Sequence, residues 1–242
     1  MANTPKRFVI LSDSRSGTSL LSETLNVHPQ ILCHGEVFHP KPSGHIKVPL
    51  EAKELEDLVA LRENDTPAFM DWVFDHPDFE AVGFKIWRNQ NPDQTDALMA
   101  DDSVFKIIYE RTNVLARFSS SRLVQATGIY NLKSDANRPT KLDTKITFNE
   151  AQFSKYLDSH RELFTLYREK SRGPVLDITY EEIKNNGFAS VLDFLGLSFE
   201  ALEPQKKKLH GSSIIDRFEP SVHNAIITAV TGAGHAEWVS EG

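Results

Sequence analysis

The stretch Ser14-Arg15-Ser16-Gly17-Thr18-Ser19 has the side chains and the spacing of an anion cradle. Small residues let backbone N–H groups crowd around a negative charge, Gly17 permits a close approach, and Arg15 offers a planar fork of donors to phosphate oxygens. Thr18 and Ser19 add hydroxyl donors. The apolar run Phe8-Val9-Ile10-Leu11 precedes the stretch, and Leu20, Leu21 and Leu25 follow at helical spacing. The loop therefore falls between a buried strand and a helix N-terminus, where unpaired N–H groups and the helix dipole favour negative charge. Ser, Gly and Thr also cap helices without binding anything, so this loop alone leaves two readings open.

A second turn of the same kind lies further on. Val104 to Tyr109 reads as a strand, Glu110-Arg111-Thr112-Asn113 as a polar turn, and Val114 to about Ala126 as a helix ended by Gly128. Ser119 stands eight residues after Arg111 in ERTNVLARFSSS. Taken singly, Arg111 pairs with a carboxylate and Ser119 is a tolerated helix serine. Together with the first loop they suggest a two-part anion site. Glu36, just past a second strand in Cys33-His34-Gly35-Glu36, is a candidate base, and His34 competes with it because alternate strand residues share a face. Lys85, alone in the apolar run Ala81 to Trp87, is expected to snorkel to solvent, with contact to a transferred group as the alternative. Cys33, His34, Glu36, His39 and His45 fit no paired metal-ligand spacing, and no metal is expected.

These residues need a scaffold of strands alternating with helices. His39 to Pro49 reads as a loop, Glu51 to Arg62 and Ala68 to Phe74 as helices, and Asn89 to Asp93, with Pro92, as a loop. Ser134 to Thr144 reads as an exposed loop. Thr147-Phe148-Asn149-Glu150 has a capping-box pattern before a long helix that Gly173-Pro174 stops. Pro174 to Tyr180 is a further strand, Glu181-Glu182 opens a turn or short helix, and Gly187 to Leu195 forms a helix. The expectation is an α/β fold of three layers, P-loop-like, with a central parallel sheet flanked by helices. Residues 1–242 are expected to form one domain, with ligands at the carboxyl ends of the strands.

Composition narrows the class. The 242 residues are 40% hydrophobic and 25% charged, as in ordinary globular proteins, and no apolar run approaches the ~18 residues of a membrane span. A net charge of −7 argues against coating nucleic acid, so any nucleotide must be held by a local site. One cysteine and no apolar leader segment fit a reducing, cytoplasmic setting.

The motifs together resemble those of the sulfotransferases that use 3′-phosphoadenosine 5′-phosphosulfate (PAPS), in particular the bacterial carbohydrate- and lipid-directed branch. The resemblance runs over roughly residues 8 to 185. It implies that Arg15, Ser16, Gly17, Thr18 and Ser19 hold the 5′-phosphosulfate, and that Arg111 and Ser119 hold the 3′-phosphate. Thr179-Tyr180-Glu181 resembles a further family segment. Glu36, after His28-Pro29, corresponds to the base of the carbohydrate-directed branch. The implied reaction moves a sulfuryl group in line to a hydroxyl of a carbohydrate, glycolipid or small metabolite. It releases adenosine 3′,5′-bisphosphate (PAP), and Arg15 offsets charge on the leaving group. The animal cytosolic branch differs: it has lysine at the position of Arg15 and a histidine base from elsewhere in the chain. Its C-terminal arginine-lysine-glycine segment is not apparent here, where Arg217 is the alternative. An ATP-dependent kinase and a non-catalytic nucleotide-binding protein are the competing classes, and the kinase's Gly-Lys-Ser/Thr loop is absent.

Overall fold

Five parallel strands form one sheet in this computed structural model, which describes residues 4–130, 143–204 and 211–241. They are β1 (Lys6–Ser12), β2 (Ile31–His34), β3 (Ala81–Trp87), β4 (Phe105–Glu110) and β5 (Val175–Thr179), in the order β2-β3-β1-β4-β5. Central β1 sets Ile10 between Lys85 of β3 and Ile107 of β4. Its run Phe8 to Leu11 is fully buried on both faces, which is why that segment carries no polar alternation. The expected α/β architecture, a central parallel sheet flanked by helices, is the one observed.

Helices cover both faces. Phe8, Ile10, Cys33, Ile107 and Tyr109 pack under α1 (Thr18–Leu25), α7 (Tyr180–Asn186) and α8 (Ala189–Phe194). Val9, Leu11, Phe84, Ile86 and Ile108 pack under α2 (Ala52–Asn64), α3 (Thr66–Phe74), α4 (Pro92–Ala100) and α6 (Glu150–Lys170). A third cluster joins α5 (Val114–Thr127) and α6 to α9 (His223–Gly232) and Trp238. No helix among the described residues is long and apolar enough to cross a membrane.

Two local expectations need correction. Asn89 to Asp93 is not all loop, because α4 begins at Pro92. Asn91 caps it by accepting from the Gln94 N–H at 3.0 Å, and proline suits a first helical position whose N–H would be unpaired anyway. The capping-box reading at Thr147 also gives way: Asn149 is the cap of α6, accepting from Gln152 N at 2.9 Å. Most of the polar stretch from Ser134 to Thr144 lies outside the described residues.

His34 is no base. It is fully buried at the end of β2, stacked on Trp72 at 6.2 Å and beside His76 at 5.5 Å, and its Nδ1 accepts from Lys47 N at 3.1 Å. Burial, reinforced by His76, holds its pKa down to about 3. The folded state thus takes up a proton far less readily than the unfolded chain, whose imidazole titrates near 6.5. Stability is therefore fully present above pH ~6.5 and is lost as pH falls below it, by about 1.4 kcal/mol per pH unit for this group. Urea titrations of wild type and His34→Asn at pH 7 and pH 5 check this: the drop in midpoint should be smaller in the variant, which keeps an acceptor for Lys47 N.

Candidate functional site

The loop between β1 and α1 makes two left-handed turns, at Arg15 (φ 63°) and Gly17 (φ 83°). Alternation of this kind curls successive N–H groups toward one side, an anion-binding concavity. No side chain caps α1, whereas Asp65, Asn91, Asn113, Asn149 and Thr179 cap α3, α4, α5, α6 and α7. Capping therefore does not account for this loop's composition. Among the described residues the buried Ser16 hydroxyl has no hydrogen-bond partner, nor has the Tyr109 hydroxyl, which would lie 3.6 Å from a Cβ placed on Gly17.

The loop owes its shape to a buried cation that sequence reasoning missed. Arg117 of α5 is fully buried. Its Nε and Nη2 donate to the Ser14 carbonyl at 3.2 and 3.0 Å, and Nη2 also meets Asp13 at 2.5 Å. Its Nη1 donates to His160 Nδ1, while His160 Nε2 lies 2.7 Å from Glu110, which also pairs with Arg168. Burial lowers the His160 pKa, so the imidazole is neutral, accepting at Nδ1 and donating at Nε2. Tyr167 adds a 2.9 Å bond to the Ser12 carbonyl.

Arg15 reaches across to α5, where its Nε donates to Ser120 Oγ at 2.9 Å, and both terminal nitrogens lie 3.2 Å from the Tyr130 carbonyl. Burial and then the neighbouring Arg111 lower its pKa. Arg111 donates from Nη1 to the Arg15 carbonyl at 3.2 Å and lies 4.8 Å over the Tyr180 ring. Its Nε and Nη2 grip Glu241 at 2.6 and 2.5 Å. Burial works to lower the Arg111 pKa and the Glu241 carboxylate more than reverses this. Ser119 donates to the Ala116 carbonyl and accepts from Arg217 Nη1, both at 3.0 Å. Arg217 is itself buried with an Nε unpartnered among the described residues, and burial, followed by Arg111, brings its pKa down to about 10. The two sequence motifs thus meet, and Arg217 joins them.

Lys85 does not snorkel. It is buried, with Nζ 3.2 Å from Glu36 Oε1 and 3.0 Å from Ser19 Oγ, so it ties the candidate base to the end of the anion loop. Glu36 is likewise buried, and its Oε2 accepts from Gln90 Nε2 at 2.8 Å. The Gln90 amide is oriented in turn by Trp87 N, which donates to Oε1 at 3.2 Å. The Glu36 backbone N–H donates to His45 Nδ1 at 3.0 Å.

Tyr180 joins the halves of the site, with its ring against Gly17 on one side and Arg111 on the other. A cavity of about 310 Å³ opens beside Tyr180, lined also by Thr112, Glu181, Lys184, Trp238 and Glu241 among others. Ser120 was signalled only by the serine run after Phe118. Gln90, Arg117 and Glu241 carried no local signal. No group of three or more metal-ligating side chains occurs among the described residues.

No family model and no curated protein matches the chain. Solved structures to which it is similar include a mouse sulfotransferase, SULT7A1, complexed with PAP, at 14% identity and a TM-score of 0.47, covering 93% of this chain and 83% of that one. Another is the sulfotransferase STF9 from Mycobacterium avium, at 12% identity and 0.45, covering 95% of this chain and 76% of that one. A third is retinol dehydratase in complex with retinol and PAP, at 15% identity and 0.42, covering 94% and 81%.

Proposed function

We propose that the chain is a PAPS-dependent sulfotransferase acting on an acceptor hydroxyl. The observation that carries this reading is the meeting of two strand-end motifs. Three guanidiniums, from Arg15, Arg111 and Arg217, gather around buried serines in a chain of net charge −7, and both Ser16 Oγ and Arg217 Nε lack partners among the described residues. One anion-binding loop would suit many nucleotides. Two, on neighbouring strand ends, suit a ligand with phosphates at two separate positions, as in PAPS.

The residues present fit that cofactor. Ser16, Gly17, Thr18 and Ser19 would hold the 5′-phosphate against the uncapped start of α1, while Arg111, Arg217 and Ser119 would hold the 3′-phosphate. Bound PAPS supplies the sulfuryl group together with a phosphate leaving group. Arg15 offsets the charge that develops on the bridging oxygen. Glu36 takes the acceptor's proton at a carboxylate oxygen, and Gln90 and Lys85 fix the rotation of that carboxylate. Lys85 also puts a positive charge between base and loop, where it would attract the oxygens of a sulfuryl group. Carbohydrate, glycolipid and small-metabolite hydroxyls are the acceptor class. A cytoplasmic setting suits Cys33, whose thiol burial pushes its pKa up to about 12 and so makes it unreactive.

Thermal unfolding with PAP against ADP tests the reading. PAP at ~100 times its Kd should add about 2.7 kcal/mol, or about 5–10 °C, and Arg15→Ala should remove most of the shift. Equal shifts with both nucleotides, or a preference for ADP with Mg²⁺, would bring the kinase forward. No shift with either would favour a protein without a nucleotide.

A further inference from the structure

We infer that Glu241 is an internal competitor for the phosphate-binding arginine, and that a phosphate dianion reaches Arg111 by lifting it away. This rests on the proposed function in one respect, the assignment of Arg111 to a nucleotide phosphate. The carboxylate takes the side-on edge of the guanidinium through Nε and Nη2, the edge best shaped for two parallel bonds to an oxyanion. One further N–H, on Nη1, goes to the Arg15 carbonyl. Both side chains of the pair are nearly buried, at 10% and 5% exposure, so no bulk water lies between them.

The carboxylate arrives on a short strap. A turn at Ala236–Val239 leads to Ser240, which bridges Ser213, and Glu241 N donates to the Ser212 carbonyl at 2.8 Å. Asn113 Nδ2 holds the strap by donating to the Trp238 and Ser240 carbonyls, each at 3.1 Å. Asn113 also caps α5, so the strap hangs from the same turn that carries Arg111. A few backbone bonds of this sort open far more readily than the sheet beneath them.

Exchange is favourable because the ligands differ in charge. Glu241 offers one negative charge and two oxygens, whereas a phosphate offers nearly two charges and three oxygens. Arg15 and Arg217 face the same place, and Glu181 is the other carboxylate close enough to act on Arg111. The strap thus satisfies a buried cation in the nucleotide-free protein and yields to the more highly charged ligand. Its position would report whether the site is filled.

Calorimetric titration of wild type and Glu241→Gln with PAP and with inorganic pyrophosphate tests this. The variant should bind both about tenfold more tightly. In wild type, amide hydrogen exchange at residues 238–241 should rise when PAP binds. Because the exchange readout uses the unaltered chain, it decides the matter even if the variant folds poorly. PAP bound equally by both proteins, with 238–241 unchanged or protected, would overturn the displacement and leave the sulfotransferase reading standing. Failure of PAP on both proteins, with tighter pyrophosphate binding by the variant, would overturn the nucleotide assignment and uphold the displacement.

Discussion

Gly17→Ala should abolish PAP binding while leaving a folded protein that is less stable by about 2–4 kcal/mol. The position has φ 83°, a backbone region in which a Cβ is strained. The added methyl would also come within 2.6 Å of Tyr180 Cδ2 and 2.9 Å of Cε2. Tyr180 is buried and its ring also lies 4.8 Å from the Arg111 guanidinium, so a displacement of the ring reaches that cation. One methyl group thus disturbs the loop that would hold the 5′-phosphate and the arginine that would hold the 3′-phosphate. Overpacking and backbone strain each cost on the order of 1–3 kcal/mol. Urea denaturation gives the stability change, and PAP-dependent thermal shift gives the binding loss. A normal shift in the variant would show that neither phosphate sits near Gly17.

Lys85→Met should be the most destabilising substitution at the site, by about 3–5 kcal/mol, because it leaves the Glu36 carboxylate buried without its counter-charge. The ammonium and carboxylate groups are 5% and 8% exposed, so water replaces neither partner. Adding Glu36→Gln should restore most of the loss, since a neutral amide can keep the bond from Gln90 or turn to meet Ser19. The double-mutant cycle in urea gives the coupling energy directly. Glu36→Gln by itself should bind PAP normally yet slow transfer to a hydroxyl acceptor by about 10²–10⁴, the usual worth of a positioned base. Unchanged transfer would move the base elsewhere.

The pattern of what was legible in the chain follows from the reach of each interaction. The strands were readable because fully buried parallel strands are near-continuous apolar runs, as Phe8 to Leu11 is and as Val104 to Tyr109 is apart from Lys106. The two arginine-bearing turns were readable because strand, turn and helix are adjacent in sequence. The helix at Pro92 was missed because proline signals both loops and first helical positions. Lys85 was misread because its burial depends on Glu36, 49 residues earlier, and no periodicity encodes that pairing. The same holds for Glu241, which meets Arg111 across 130 residues, and for Arg117, whose partners Asp13 and His160 lie on either side of it in sequence.

The network behind the anion loop also bears on the order of events during synthesis. The Ser12 and Ser14 carbonyls and the Asp13 carboxylate are held by Arg117 and by Tyr167, and Arg117 is steadied by His160. Tyr167 and His160 belong to α6, which ends at Lys170. A ribosome delivers the loop first, Arg117 about 100 residues later and the α6 clamps about 150 residues later, at ~5–20 residues per second. For roughly 8–30 seconds the nascent chain carries Arg15 and Gly17 without the full set of contacts that shape them. On the proposed reading, the emerging polypeptide stays blind to nucleotide until α6 and then Arg217 have cleared the exit tunnel, and a truncation before residue 160 should stay so permanently.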